Sequence, residues 1–139
     1  MILISVGASQ GALVVPAVAC ELDEAGHRVE VILGQEARRF VGPAAFGAAA
    51  LVNEPSQEPR AVLYAPATAD VLARLARGIE GRPAAGTTVT PDLDAGTASH
   101  GAVRENLRLL REDGFRVVEG QEGAMAGAEE IVARVLGGL

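Results

Sequence analysis

The sequence predicts a three-layer α/β sandwich built on a parallel sheet of five or six strands. Three observations carry that reading. Short continuous apolar runs, such as ILISV at 2–6 and AVLYA at 61–65, have the pattern of strands buried on both faces. Between such runs lie stretches with apolar residues at helical spacing, and strands that alternate with helices form a parallel sheet covered on both sides. With 139 residues the chain is expected to be one domain, 1–139, burying roughly 70% of its unfolded surface.

The elements follow in order. The first strand, 2–6, ends at Gly7, and no leader segment is expected before it. After the loop Gly7-Ala8-Ser9-Gln10-Gly11, the apolar residues Leu13, Val14, Ala17, Val18 and Leu22 recur at helical spacing until Gly26, with Pro16 in the first turn or at a kink. RVEVIL, 28–33, is a second strand. EARRFVGPAAFGAAALV, 36–52, reads as one or two short helices broken near Gly42-Pro43, and NEPSQEPR, 53–60, as a polar loop. A third strand, 61–65, passes through a tight turn, APATAD, into a helix with Val71, Leu72, Leu75 and Ile79 on one face. A Gly/Pro/Ala connector at 81–86 leads to the strand TTVT and the long loop PDLDAGTASHG, 91–101. A helix from about Ala102 to Glu112 aligns Val103, Leu107 and Leu110; FRVVE is a fifth strand and 126–137 a closing helix.

Composition narrows the function. A net charge of −6 lacks the basic footprint that nucleic-acid phosphates demand, so no nucleic-acid partner is expected. Cys20 is the only cysteine, which excludes an intramolecular disulfide and zinc sites built from several thiolates, and suits a reducing, cytoplasmic setting. No apolar run reaches the ~18 residues of a membrane span.

In a parallel α/β sheet, ligands bind outside the carboxyl ends of the strands, where strand order reverses. Two loops have that character. GASQG, 7–11, offers glycine for close backbone approach, a serine hydroxyl and the start of a helix, which suits a phosphate. It lacks the G-x-G-x-x-G fingerprint, and no acidic residue ends the second strand, which disfavours a nicotinamide dinucleotide. The other reading of GASQG is a small-residue turn with no ligand. In APATAD, Thr68 can cap the next helix and Asp70 complements its dipole, which on the residues alone makes a structural cap. His27 opens a strand and reads as structural; His100, in TASHGAV, lies on the side of the strand carboxyl ends, where it could act as a base. Cys20 reads as a small core residue. Asp92 and Asp94 have no third ligand to complete a metal site, so no metal is expected and they read as part of a solvated loop.

VLYAPATADVLARLARGIEG, 62–81, resembles the signature of the homo-oligomeric flavin-containing cysteine decarboxylases: an apolar strand, A-P-A-T/S-A-N, then a helix ending in G-I. The family includes the phosphopantothenoylcysteine decarboxylases and the lantibiotic peptidyl-cysteine decarboxylases. Residues 4–46 resemble its opening strand, phosphate loop, G-H-x-V-x-V strand and A-x-x-F-V-x-P segment, and AVRENLRLLREDGFRVVEGQEG resembles its A-x-x-x-N-L-x-x-L-x-x-x-G-x-x-V-V-x-P stretch. The resemblance implies a Rossmann-like (flavodoxin-like) fold and a lyase that binds FMN between subunits of a homotrimer or multiple of trimers. It also implies oxidation of a cysteine thiol by flavin followed by loss of CO2, on a peptide or small molecule carrying a cysteine, as in natural-product biosynthesis. Carried over residue by residue, Gly7, Ser9 and Thr68 would hold the FMN phosphate, with Ala67 and Ala69 letting the backbone approach and Asp70 standing where the family has Asn.

The chain departs from the family in four places. The interval LVNEPSQEPRAV holds no His, where the family places its base, and is roughly 20 residues shorter than the family pattern implies. PDLD replaces P-x-M-N, putting Asp94 in the place of Asn in the substrate clamp. No D-N-L-L-T-T segment follows G-I, and EGAMAGAEE lacks the Cys that the pantothenate enzymes carry. His100 and Asp94 are then the candidate catalytic residues. The second reading is a degenerate member that serves as a binding or assembly partner of an active paralogue.

Overall fold

The computed structural model describes residues 1–47, 49–79 and 83–139. Six parallel strands, β1 (Ile2–Val6), β2 (Val29–Leu33), β3 (Ala50–Leu51), β4 (Ala61–Ala67), β5 (Thr87–Pro91) and β6 (Arg116–Val117), lie in the order β3-β2-β1-β4-β5-β6. This is the doubly wound Rossmann order; without the two-residue β3 it becomes the flavodoxin order. In either description, strand order reverses between β1 and β4. Helices α1 (Val15–Glu24) and α5 (Ala128–Gly137) pack together on one face, and α2 (Ala69–Ala76) and α4 (Gly101–Glu112) on the other; the short α3 (Ala95–Ser99) precedes α4.

The apolar runs became the central strands because both faces are covered. Ile4, Val31 and Leu63 face α1 and α5, while Leu3, Tyr64 and Val89 face α2 and α4. All seven residues of β4 are buried. Pro66 is accommodated inside β4 at a register shift against β5 between Tyr64 and Ala67, where its missing N–H breaks no regular ladder.

Several expectations are corrected. The stretch 10–14 is a 3₁₀ turn, and its three-residue period throws the apolar spacing out of phase with α1. The buried stripe of α1 is Val15, Val18, Ala19 and Leu22, whereas Leu13 is 62% exposed and Ala17 and Cys20 also face outward. Residues 36–52 supply two 3₁₀ turns, Ala37–Arg39 and Pro43–Phe46, and the unexpected strand β3; Ala48 lies outside the described residues. The third strand runs on to Ala67, so the expected six-residue turn shrinks to Thr68 alone. Helix α2 stops at Ala76 and leaves Ile79 64% exposed. Positions 81 and 82 of the expected connector lie outside the described residues. The loop at 91–101 contains α3, because Asp94 caps it.

Glu30 is the buried acid of the sheet. Its carboxylate accepts hydrogen bonds from the Ser56 hydroxyl, the Ser56 amide (2.9 Å) and Arg28 (2.8 Å). The two Ser56 bonds, more than the neighbouring arginine, hold its carboxyl below the ordinary glutamate range despite burial. A carboxyl whose folded pKa is depressed contributes stability above the unfolded value, near ~4.3, and loses it as pH falls through the folded value. Melting temperature followed against pH therefore tests the clasp. Glu30→Gln should melt lower than the parent at neutral pH and show a shallower acid limb, so that the two converge at low pH.

Candidate functional site

The reversal of strand order brings the carboxyl ends of β1 and β4 side by side, and with them the two loops singled out in the sequence. Gly7 ends β1 directly against β4: a Cβ built on it would lie 2.0 Å from the carbonyl oxygen of Pro66. Only a glycine admits that approach, so Gly7 fixes the spacing of the two loops.

Thr68 caps α2 from an extended conformation, its Oγ1 accepting a hydrogen bond from the Val71 amide (3.4 Å). The hydroxyl hydrogen stays available to a ligand, and the amides of Ala69 and Asp70, at the first helical positions, have no carbonyl one turn back to bond. Ala67 is buried, Ala69 is half-buried and Asp70 is exposed. This turn therefore presents a hydroxyl and two amides flanked by small side chains, a donor set that fits a phosphate.

The first loop is arranged differently. Ser9 donates its hydroxyl to Oδ2 of Asp92 at 2.5 Å, and the amide of Gly11 donates to the same oxygen at 2.8 Å. Oδ1 of Asp92 accepts from the Met125 amide (3.2 Å), and the Asp92 amide donates to the carbonyl of Ala67 (3.0 Å). Asp92 thus ties together the ends of β1, β4 and β5 and the segment near Met125. The sequence reading placed it in a solvated loop; it is half-buried and bonded through both oxygens, to partners 81 and 83 residues away on one side and 33 on the other.

Asp94 and His100 stand at the two ends of α3. Asp94 accepts from the amide (2.8 Å) and hydroxyl (2.9 Å) of Thr97, and these bonds hold its carboxyl below the ordinary aspartate range. His100 follows α3 in an extended conformation and caps α4, its Nδ1 accepting from the Ala102 amide (3.1 Å). That bond assigns the proton to Nε2 in the neutral ring. Both side chains are exposed. The cap at Asp94 was visible in the sequence as an Asp followed three residues later by Thr. His27 is half-buried in the turn before β2, at the amino ends of the strands.

The fold and this site define a class: a doubly wound α/β protein with a phosphate-type turn at the switch point of its sheet. The solved structures that resemble it carry the same architecture. The FMN-dependent cysteine decarboxylase SpaF superposes with a TM-score of 0.76 and 25% identity over 99% of this chain and 95% of that one. A PPC decarboxylase superposes with a TM-score of 0.85 over 97% and 95% of the two chains; at 16% identity it speaks for the fold alone. In sequence, the coenzyme A biosynthesis bifunctional protein CoaBC of Mycobacterium bovis is 34% identical over 140 residues, covering 83% of this chain and 33% of CoaBC. The chain thus spans about a third of the length of the curated relatives it matches. No protein-family model matches it. The chain is a relative of the FMN-dependent cysteine decarboxylases, as the motifs in its sequence imply.

The close approach at Gly7 makes a sharp prediction. Gly7→Ala must displace the Pro66 carbonyl and should cost about 1–3 kcal/mol in a denaturant titration, the usual range for overpacking. A loss below that range would show that the two loops are free to part.

Proposed function

We propose that this chain is an FMN-binding flavoprotein that decarboxylates a cysteine or a related thiol carboxylate, on a peptide or small molecule. The observation that carries this reading is the Thr68–Asp70 turn at the switch point, with a hydroxyl and two unbonded amides between small side chains. The likeness to SpaF over nearly the whole of both chains, and to CoaBC over most of this one, supports it.

On this reading Thr68 donates its hydroxyl to the phosphate, and the amides of Ala69 and Asp70 donate beside it. Gly7 and Ser9 form the opposite wall, and Ala67 keeps the floor low. Bound FMN would supply the acceptor for the two electrons of thiol oxidation. The chain's own residues supply the rest. His100 keeps Nε2 free to hold or move a proton while Nδ1 serves the cap. Asp94, held ionised by Thr97, fixes the start of α3; an anion there would repel a substrate carboxylate, so its part is positional. On this reading the chain assembles as a homotrimer, with the exposed Leu13 beside the first loop within reach of a second copy. Among the described residues no helix is long and apolar enough to cross a membrane; a cytoplasmic setting and a role in natural-product biosynthesis belong to the same reading. The reading as an inactive partner of a paralogue is not favoured, since SpaF, similar over nearly the whole chain, is an FMN-dependent cysteine decarboxylase.

Purified protein mixed with FMN and gel-filtered should retain flavin absorbance and release FMN on denaturation; colourless protein would overturn the proposal. Thr68→Val should weaken FMN binding about tenfold or more, the loss of one hydrogen bond to a charged group. Thr68→Ser, which keeps the hydroxyl, should stay near the parent value in the same fluorescence titration.

A further inference from the structure

Asp92 stands where a phosphate on the first loop would stand. Its Oδ2 is held by the Ser9 hydroxyl and the Gly11 amide, and its Oδ1 by the Met125 amide. A hydroxyl and main-chain amides converging after a strand are the donors that bind an oxyanion. Gly11 belongs to the same arrangement: a Cβ on it would lie 2.8 Å from Asp92 Oδ2 and 3.1 Å from the sulfur of Met125. The glycine that reads as making room for a ligand makes room for the protein's own carboxylate. That carboxylate is anchored from behind, because its backbone amide bonds the carbonyl of Ala67, the residue before Thr68.

We propose that Asp92 is a built-in anion, a specificity-determining residue that occupies the donors of the first loop and limits how tightly the chain holds a phosphate-bearing flavin. The inference rests on the reading of the chain as an FMN protein. An ionised aspartate in the cradle does two things to an arriving phosphate: it withholds the Ser9 and Gly11 donors, and it opposes the phosphate charge across a few ångströms. The phosphate is then left to the Thr68–Asp70 side, and the contribution of the phosphate to flavin affinity is small.

Comparing FMN with riboflavin isolates that contribution, since the two differ only in the phosphate. The dissociation constants of both are measured by flavin fluorescence for the parent, Asp92→Asn and Asp92→Ala, with thermal melting as the check on folding. Asp92→Ala frees both donors and removes the charge, and should bind FMN about tenfold tighter than the parent with riboflavin unchanged. Asp92→Asn removes the charge and keeps acceptor and shape, and should fall between them. Should the alanine variant not fold, the asparagine variant decides alone. Variants that fold and bind FMN no tighter than the parent, or gain equally for riboflavin, overturn the role of Asp92 while leaving FMN binding by the parent intact. Failure of all three proteins to bind FMN overturns both readings.

Discussion

The site depends on one close contact. Gly7 ends β1 so near to β4 that the Pro66 carbonyl takes the space of a side chain, and this happens at the point where the sheet reverses its order. Everything at that end is referenced to it. The turn after β1 packs against β4, Thr68 caps α2 directly after β4, and β5 follows β4 closely enough for the Asp92 amide to reach Ala67. The apolar strands beneath supply the rigidity. With both faces covered, alternate residues of β1 and β4 are packed into separate cores on opposite sides of the sheet.

Two halves of one cradle have been given different occupants. The α2 half shows main-chain amides and a hydroxyl with nothing bonded to the outermost of them, while the first-loop half is closed by a side chain from β5. The same fold can therefore carry a flavin-type crevice whose two walls differ in appetite for negative charge. Asp70 on the open wall is exposed and at the first turn of its helix, where an acid is compatible with the dipole.

The legible part of the sequence was the part governed by local pattern. Both-face burial wrote β1 and β4 as apolar runs, and the heptad-like spacing of Val103, Leu107 and Leu110 wrote α4. The turn at Thr68 was legible because capping needs only three residues. What failed had nonlocal or phase-dependent causes. Leu13 looked like the start of a buried stripe because a 3₁₀ turn before α1 cannot be told from its first turn by spacing. The same stripe, drawn one residue out, placed Cys20 inside when it is exposed. β3 has two exposed residues and no pattern at all. Asp92 was the costliest omission: its role lies in partners some eighty residues away, and a short polar loop gives no sign of them.

The clasp between Glu30 and Ser56 has a further consequence. It fastens the middle of the polar segment 53–60 to β2, while Arg60 at its end is fixed separately, its amide bonding the carbonyl of Met1. The segment is thus stitched to the sheet at two independent points before β4 begins. Between such points chain can be gained or lost without disturbing strand alignment.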